Sequence, residues 1–95
     1  MDVIQNEVIL GVDTHLDMDV AAVISHAGKL LGTLATPTNT TGYLKLLAWA
    51  RSWGCVRRAG VEGTGRYGAG LARVLHGQGI DVLEVNRPDR AKRRL

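Results

Sequence analysis

Residues 55–85 read C-V-R-R-A-G-V-E-G-T-G-R-Y-G-A-G-L-A-R-V-L-H-G-Q-G-I-D-V-L-E-V. The first eight, residues 55–62, form a strand-like run that ends in an acid, Glu62. A glycine-rich turn leads into a helix over 66–77, with Leu71, Val74 and Leu75 on one face. Residues 80–85 (IDVLEV) form a further strand. Strand, helix and strand in this order belong to an α/β chain.

Upstream the pattern changes to hairpins. Residues 7–13 (EVILGVD), 18–25 (MDVAAVIS) and 30–36 (LLGTLAT) are three short apolar runs. The second and third are joined by His26-Ala27-Gly28-Lys29, a turn with glycine where positive φ is tolerated. The first and second are close enough in sequence to pair antiparallel. Pro37 ends this segment, and Thr40 or Thr41 can cap a helix. Tyr43, Leu44, Leu47, Ala48, Ala50 and Trp53 recur at helical spacing within 41–53, and Gly54 is a natural stop. The order is β-β-β-α-β-α-β, then a basic tail, with no internal repeat or linker. That is the connectivity of the ribonuclease-H-like fold, an α/β class with a mixed five-stranded sheet, expected here to be incomplete at its C-terminus.

Ninety-five residues make one domain or part of one. A composition 45% hydrophobic and 22% charged excludes disorder. No apolar run reaches the roughly 18 residues of a membrane span, and the start, MDVIQNEV, does not read as a secretory signal. The single cysteine, Cys55, excludes an internal disulfide and a cysteine-cluster metal site. A cytoplasmic setting is expected. The chain has 12 Lys+Arg and 9 Asp+Glu, a net charge of +3. Residues 87–95 (RPDRAKRRL) hold Arg87, Arg90, Lys92, Arg93 and Arg94 against the single acid Asp89, so the tail is +4. The remaining 1–86 carry seven bases and eight acids, a net of −1. A basic terminal segment suits contacts to a phosphate backbone, and equally a solvated face.

Asp13 closes the first strand and Glu62 the fourth. If those strands lie parallel side by side, both carboxylates emerge at one sheet end, where ligands of open α/β sheets gather. Two close carboxylates suit Mg²⁺ or Mn²⁺, which position a water or hydroxyl for phosphodiester attack. Capping or solvent-facing acids are the alternative reading.

Two motifs point elsewhere. Gly63, Gly65 and Gly68 complete a G-x-G-x-x-G, with Glu84 downstream, as in dinucleotide-binding sites. Glu62 beside the pyrophosphate position, the long preceding segment and the single following strand oppose that reading. Glycines that permit a tight strand-to-helix turn explain the motif structurally. At the first acid, Asp13-Thr14-His15-Leu16-Asp17 lacks the glycine and second hydroxyl of the D-x-G-x-T phosphate loop of actin-like ATPases.

The segments I-L-G-V-D-T-H (9–15), G-V-E-G-T-G-R-Y-G (60–68) and V-L-E-V-N-R-P-D-R-A-K-R-R (82–94) resemble one family across essentially the whole chain. It is the DEDD insertion-sequence transposases, the IS-one-ten class, related to the Piv DNA invertases. The resemblance implies an N-terminal domain like the RuvC Holliday-junction resolvases, with a four-acid metal site for DNA strand cleavage and transfer. It also implies a C-terminal transposase domain with a serine nucleophile, DNA as partner, oligomerisation of the intact protein and, in some members, a structured guide RNA. Asp13 corresponds to the first acid and Glu62 to the second. The last two belong to a family segment, S-D-x-x-D-A, that would follow Arg94, and the sequence stops at Leu95. The chain therefore reads as the N-terminal part of that catalytic domain, with 7–86 as core and 87–95 as basic tail. Alone it is expected to be inactive; a non-catalytic nucleic-acid- or partner-binding remnant is the rival reading.

Leu16 stands where the family usually has a basic residue, and His15 where many relatives carry histidine. His15 reads as a turn residue, and His26 and His76 show no ligand spacing. Cys55 is expected to be buried. Trp49 and Trp53 are expected to pack against the sheet. Arg57 and Arg58, adjacent on a strand, are expected on opposite faces.

Overall fold

The computed structural model describes residues 6–85. Within them lie β1 (Glu7–Thr14), β2 (Met18–Ser25), β3 (Leu30–Pro37), α1 (Thr40–Arg51), β4 (Cys55–Glu62), α2 (Ala69–Gly77) and β5 (Asp81–Val85). The sheet order is β3-β2-β1-β4-β5. β1 pairs antiparallel with β2 and parallel with β4; β3 extends the sheet antiparallel to β2, and β5 extends it parallel to β4.

The alternation along β1 decides which face is covered. Val8, Leu10, Val12 and Thr14 are buried, while Ile9, Gly11 and Asp13 between them are half-buried. The buried set joins Ala21 and Val23 of β2, Ala59 and Val61 of β4, and the apolar stripes of both helices in one core. On α1 that stripe is Tyr43, Leu46, Leu47 and Ala50, at the i, i+3, i+4, i+7 spacing of one helix face. On α2 it is Leu71 and Leu75. Fully burying each such leucine contributes about 1.5–3 kcal/mol. The other sheet face carries Ile9, Gly11, Val20, Ala22, Gly60 and Val85, which line a shallow depression of about 420 Å³ with Asp13 and Glu62 at one end.

Several details differ from the sequence expectation. The cap of α1 is Asn39, whose side chain accepts from the Gly42 amide at 2.8 Å, one residue ahead of the threonines. The same helix ends at Arg51, leaving Trp53 exposed beyond it. Trp53 still packs on the sheet: a Cβ on Gly32 would come within 2.8 Å of its ring. Trp49 is half-buried against the core, as expected. α2 starts at Ala69, three residues later than the spacing suggests, because Gly63 at φ +76° opens a closed turn. Its carbonyl accepts from the Arg66 amide at 2.9 Å and from the Gly68 amide at 2.7 Å.

Two further expectations are corrected at the start of β4. Cys55 is exposed, because it precedes the buried Val56 and so points away from the core. Arg57 and Arg58 do not take opposite faces. Val56 pairs with Val8 and Arg58 with Ile9, so the register slips by one residue, and both arginines are exposed between buried Val56 and Ala59. A bulge of this kind inserts one extra residue and breaks the alternation.

Candidate functional site

Asp13 and Glu62 are direct register partners on the parallel strands β1 and β4. Neighbouring strands lie about 4.8 Å apart, and paired residues of a parallel ladder project from the same face, so the two carboxylates stand side by side. They do so on the face the helices leave open, at the C-terminal ends of both strands. The strand ends are tied there by Thr14, whose hydroxyl donates to the Glu62 carbonyl at 2.6 Å from the buried side of the sheet. Asp13 is also held from the turn: His15 Nε2 lies 3.1 Å from its Oδ2. His15 is thus a turn residue that also contacts Asp13.

A third acid, missed in the sequence, secures this turn. Asp19 is fully buried on the helix-facing side of β2. The Thr38 hydroxyl lies 3.2 Å from Asp19 Oδ1 and 3.0 Å from the His15 carbonyl, while the Thr38 amide donates to the Asp17 carbonyl at 2.9 Å. The β1–β2 turn is thus fastened to the β3–α1 junction, and the His15 backbone with it. Burial pushes the Asp19 carboxyl above the usual carboxylate range, opposed by hydrogen bonding from Thr38 and the His15 backbone. Asp19 Oδ2 and its register partner's hydroxyl, Thr36 Oγ1, have no hydrogen-bond partner among the described residues. Burial also raises the Tyr43 hydroxyl, helped by the charge of Asp19 and opposed by Arg73. The signal for Asp19 was present: in M-D-V-A-A-V the acid shares the parity of Ala21 and Val23, which are core.

At the C-terminal ends of β1, β4 and β5, Thr14, His15, Glu62, Gly63, Arg66, Tyr67, Glu84 and Val85 line a second depression of about 320 Å³. Arg66 lies over the Tyr67 ring, 5.8 Å from its centroid.

The comparisons bear on this arrangement. The model of the IS110 DEDD transposase family, described as "Transposase", matches residues 10–94. The chain belongs to that family. No curated protein matches the sequence. Among solved structures, the fold of this transposase-family chain is similar to that of ribonuclease H1 from the halophilic archaeon Halobacterium salinarum NRC-1. The TM-score is 0.51 at 10% identity, over 93% of this chain and 90% of that one. That likeness shows the ribonuclease-H-like fold expected from β-β-β-α-β-α-β.

The dinucleotide reading of Gly63, Gly65 and Gly68 loses its footing in the same fold. β2 and β3 join the sheet antiparallel on one side of β1, and the glycines have structural uses: Gly63 takes the positive φ, and a Cβ on Gly68 would press on the Glu62 carbonyl at 2.9 Å. The basic residues expected to contact phosphates, Arg87, Arg90, Lys92, Arg93 and Arg94, all lie outside the described residues. His26 sits in the β2–β3 turn and His76 near the end of α2, on separate elements. No helix among the described residues is long and apolar enough to cross a membrane.

The donor set can be tested against a divalent cation. Among the described residues no three His, Cys, Asp or Glu side chains group closely enough to hold a metal by themselves. Mg²⁺ does not require that: it is commonly held by one or two carboxylates, with waters and substrate phosphates completing the shell. Paired hard oxygen donors such as Asp13 and Glu62 fit one such ion.

Proposed function

We propose that this chain supplies the first half of the acid site of a metal-dependent DNA-cleaving transposase domain, with residues 7–86 as its core. The observation that carries the reading is the register pairing of Asp13 with Glu62 at the open end of two parallel strands. The family implies DNA as the partner. Asp13 and Glu62 would hold Mg²⁺ or Mn²⁺, and a bound ion supplies charge neutralisation at a phosphoryl oxygen and an activated water. Thr14 keeps the two strand ends together, and His15 fixes the orientation of Asp13. Arg87, Arg90, Lys92, Arg93 and Arg94 would neutralise backbone phosphates without reading sequence. In the intact protein the domain would act as an oligomer, and with a guide RNA where the family uses one. Asp13 and Glu62 by themselves would hold one ion, because two carboxylates do not position two.

Calorimetric titration with Mn²⁺ tests this, alongside nicking of supercoiled plasmid. The wild-type chain is expected to bind Mn²⁺ weakly and to leave the plasmid intact. Asp13→Asn and Glu62→Gln should each weaken binding by roughly tenfold or more, since even losing an outer partner of a metal site has that effect. Equal affinity in all three proteins would leave a non-catalytic nucleic-acid-binding role as the better reading.

A further inference from the structure

The turn between β4 and α2 carries two side chains, Arg66 and Tyr67, that the metal reading does not use. Gly63, at φ +76°, turns the chain immediately after Glu62, and Arg66 and Tyr67 share a depression with Glu62 and Glu84. A Cβ on Gly65 would meet nothing within 4 Å, so the tip of the turn is open. Arg66 and Tyr67 follow, both exposed, and both line the depression that also contains Glu62, His15 and Thr14. Arg66 makes no ion pair with any described carboxylate; it lies over the Tyr67 ring instead. A guanidinium with no ion pair among the described residues and an exposed aromatic face, beside Glu62, make a surface with two complementary preferences. The cation takes a phosphate, and the ring takes the flat face of a base.

We propose that Arg66 and Tyr67 form a strand-binding subsite for unpaired DNA, Arg66 contacting a backbone phosphate and Tyr67 stacking on a base next to the cleavage position. A base still in a duplex offers no face to the ring, so the ligand is a single strand or an unpaired end. Sequence preference is weak, because every base has a stacking face. Arg66 shifts its contact from the ring to the incoming phosphate, and the ring keeps one face for the base. The subsite deepens the nucleic-acid reading above and rests on it, but it needs no metal.

The test is fluorescence anisotropy of the 95-residue chain with a labelled thymidine oligonucleotide at low salt, in chelator, compared with an abasic strand of equal length. Tyr67→Ala is expected to weaken binding to the thymidine strand by roughly 5- to 150-fold, the range of one base–aromatic stack. On the abasic strand it should change little, and Tyr67→Phe should bind both strands like wild type. Arg66→Ala should weaken both strands and reduce the log–log salt slope by about 0.7, one phosphate contact on a single strand. Residues 87–95 are identical in all variants, so their contribution cancels. Thermal melts monitor folding, and Tyr67→Phe controls for any loss of packing in Tyr67→Ala. Absence of wild-type binding, or a Tyr67→Ala loss equal on both strands, would overturn the subsite. Because chelator is present throughout, these outcomes are independent of whether Asp13 and Glu62 bind a cation.

Discussion

Replacing Thr14 with valine isolates the link that holds the two acids together. Thr14 is buried, and its hydroxyl reaches the Glu62 carbonyl at 2.6 Å. Valine has nearly the same shape but places a methyl carbon where the hydroxyl was. Carbon and carbonyl oxygen settle at about 3.3–3.6 Å, so the ends of β1 and β4 must part or the side chain must turn away. The donor is lost in either case, and removing one side of this part-buried hydrogen bond costs up to about 1–3 kcal/mol. For a domain of this size each kcal/mol lowers the midpoint by about 4–8 °C. Thr14→Ser keeps the hydroxyl and removes one methyl, worth about 0.8 kcal/mol. Thermal or urea unfolding followed by circular dichroism should therefore rank wild type above Ser and Ser above Val. Mn²⁺ affinity should follow the same order, because the bond sets the spacing of Asp13 and Glu62. A valine variant as stable as wild type, or a serine variant worse than valine, would refute the reasoning: the bond would then contribute nothing beyond packing.

Two further outcomes follow from the buried polar groups and the tight helix entry. The folded pKa of Asp19 is raised, so the native state holds its proton more firmly than the unfolded chain does. Its contribution is therefore fully present below the unfolded carboxylate pKa of about 3.9 and is lost as pH rises through the folded value. Relative to Asp19→Asn, wild type should lose stability as pH rises above about 4 in urea melts; an unchanged or opposite trend in that difference would exclude this assignment. Gly42→Ala would drive a Cβ into the Pro37 carbonyl oxygen, a backbone atom that cannot turn aside. A loss of about 1–3 kcal/mol is expected from this overpacking, and a wild-type melting curve would show that the α1 entry is looser than described.

What was legible in the sequence follows from periodicity. In E-V-I-L-G-V-D-T the alternation placed Asp13 at a strand end, and the apolar spacing of Tyr43, Leu47 and Ala50 marked the first helix. Asp13 and Glu62 could be paired because both close strands in an order that brings β1 beside β4. Local backbone choices were not legible. A bulge at Arg57 leaves no signature in V-R-R-A, and once the register slips, face assignment by parity fails. The helical reading of 66–68 failed because Arg66 and Tyr67 are acceptable helix residues, while the closed turn on the Gly63 carbonyl depends on a dihedral angle. Asp19 was overlooked because a strand acid is ordinarily solvent-facing; only the parity it shares with Ala21 and Val23 gave it away.

The pairing of β1 with β4 also has a consequence in time. β1, β2 and β3 are joined by short turns and can zip together as neighbours, so Asp13 reaches its final surroundings early. Glu62 is 49 positions further along the chain from Asp13 and reaches it only after α1 has crossed from one edge of the growing sheet to the other. Pairings of such long separation are the slow ones, because a large loop must close before any contact repays its entropy. The carboxylate pair is therefore assembled by a late event, and occupancy of the pair by a paramagnetic ion during refolding would time the arrival of β4 against β1.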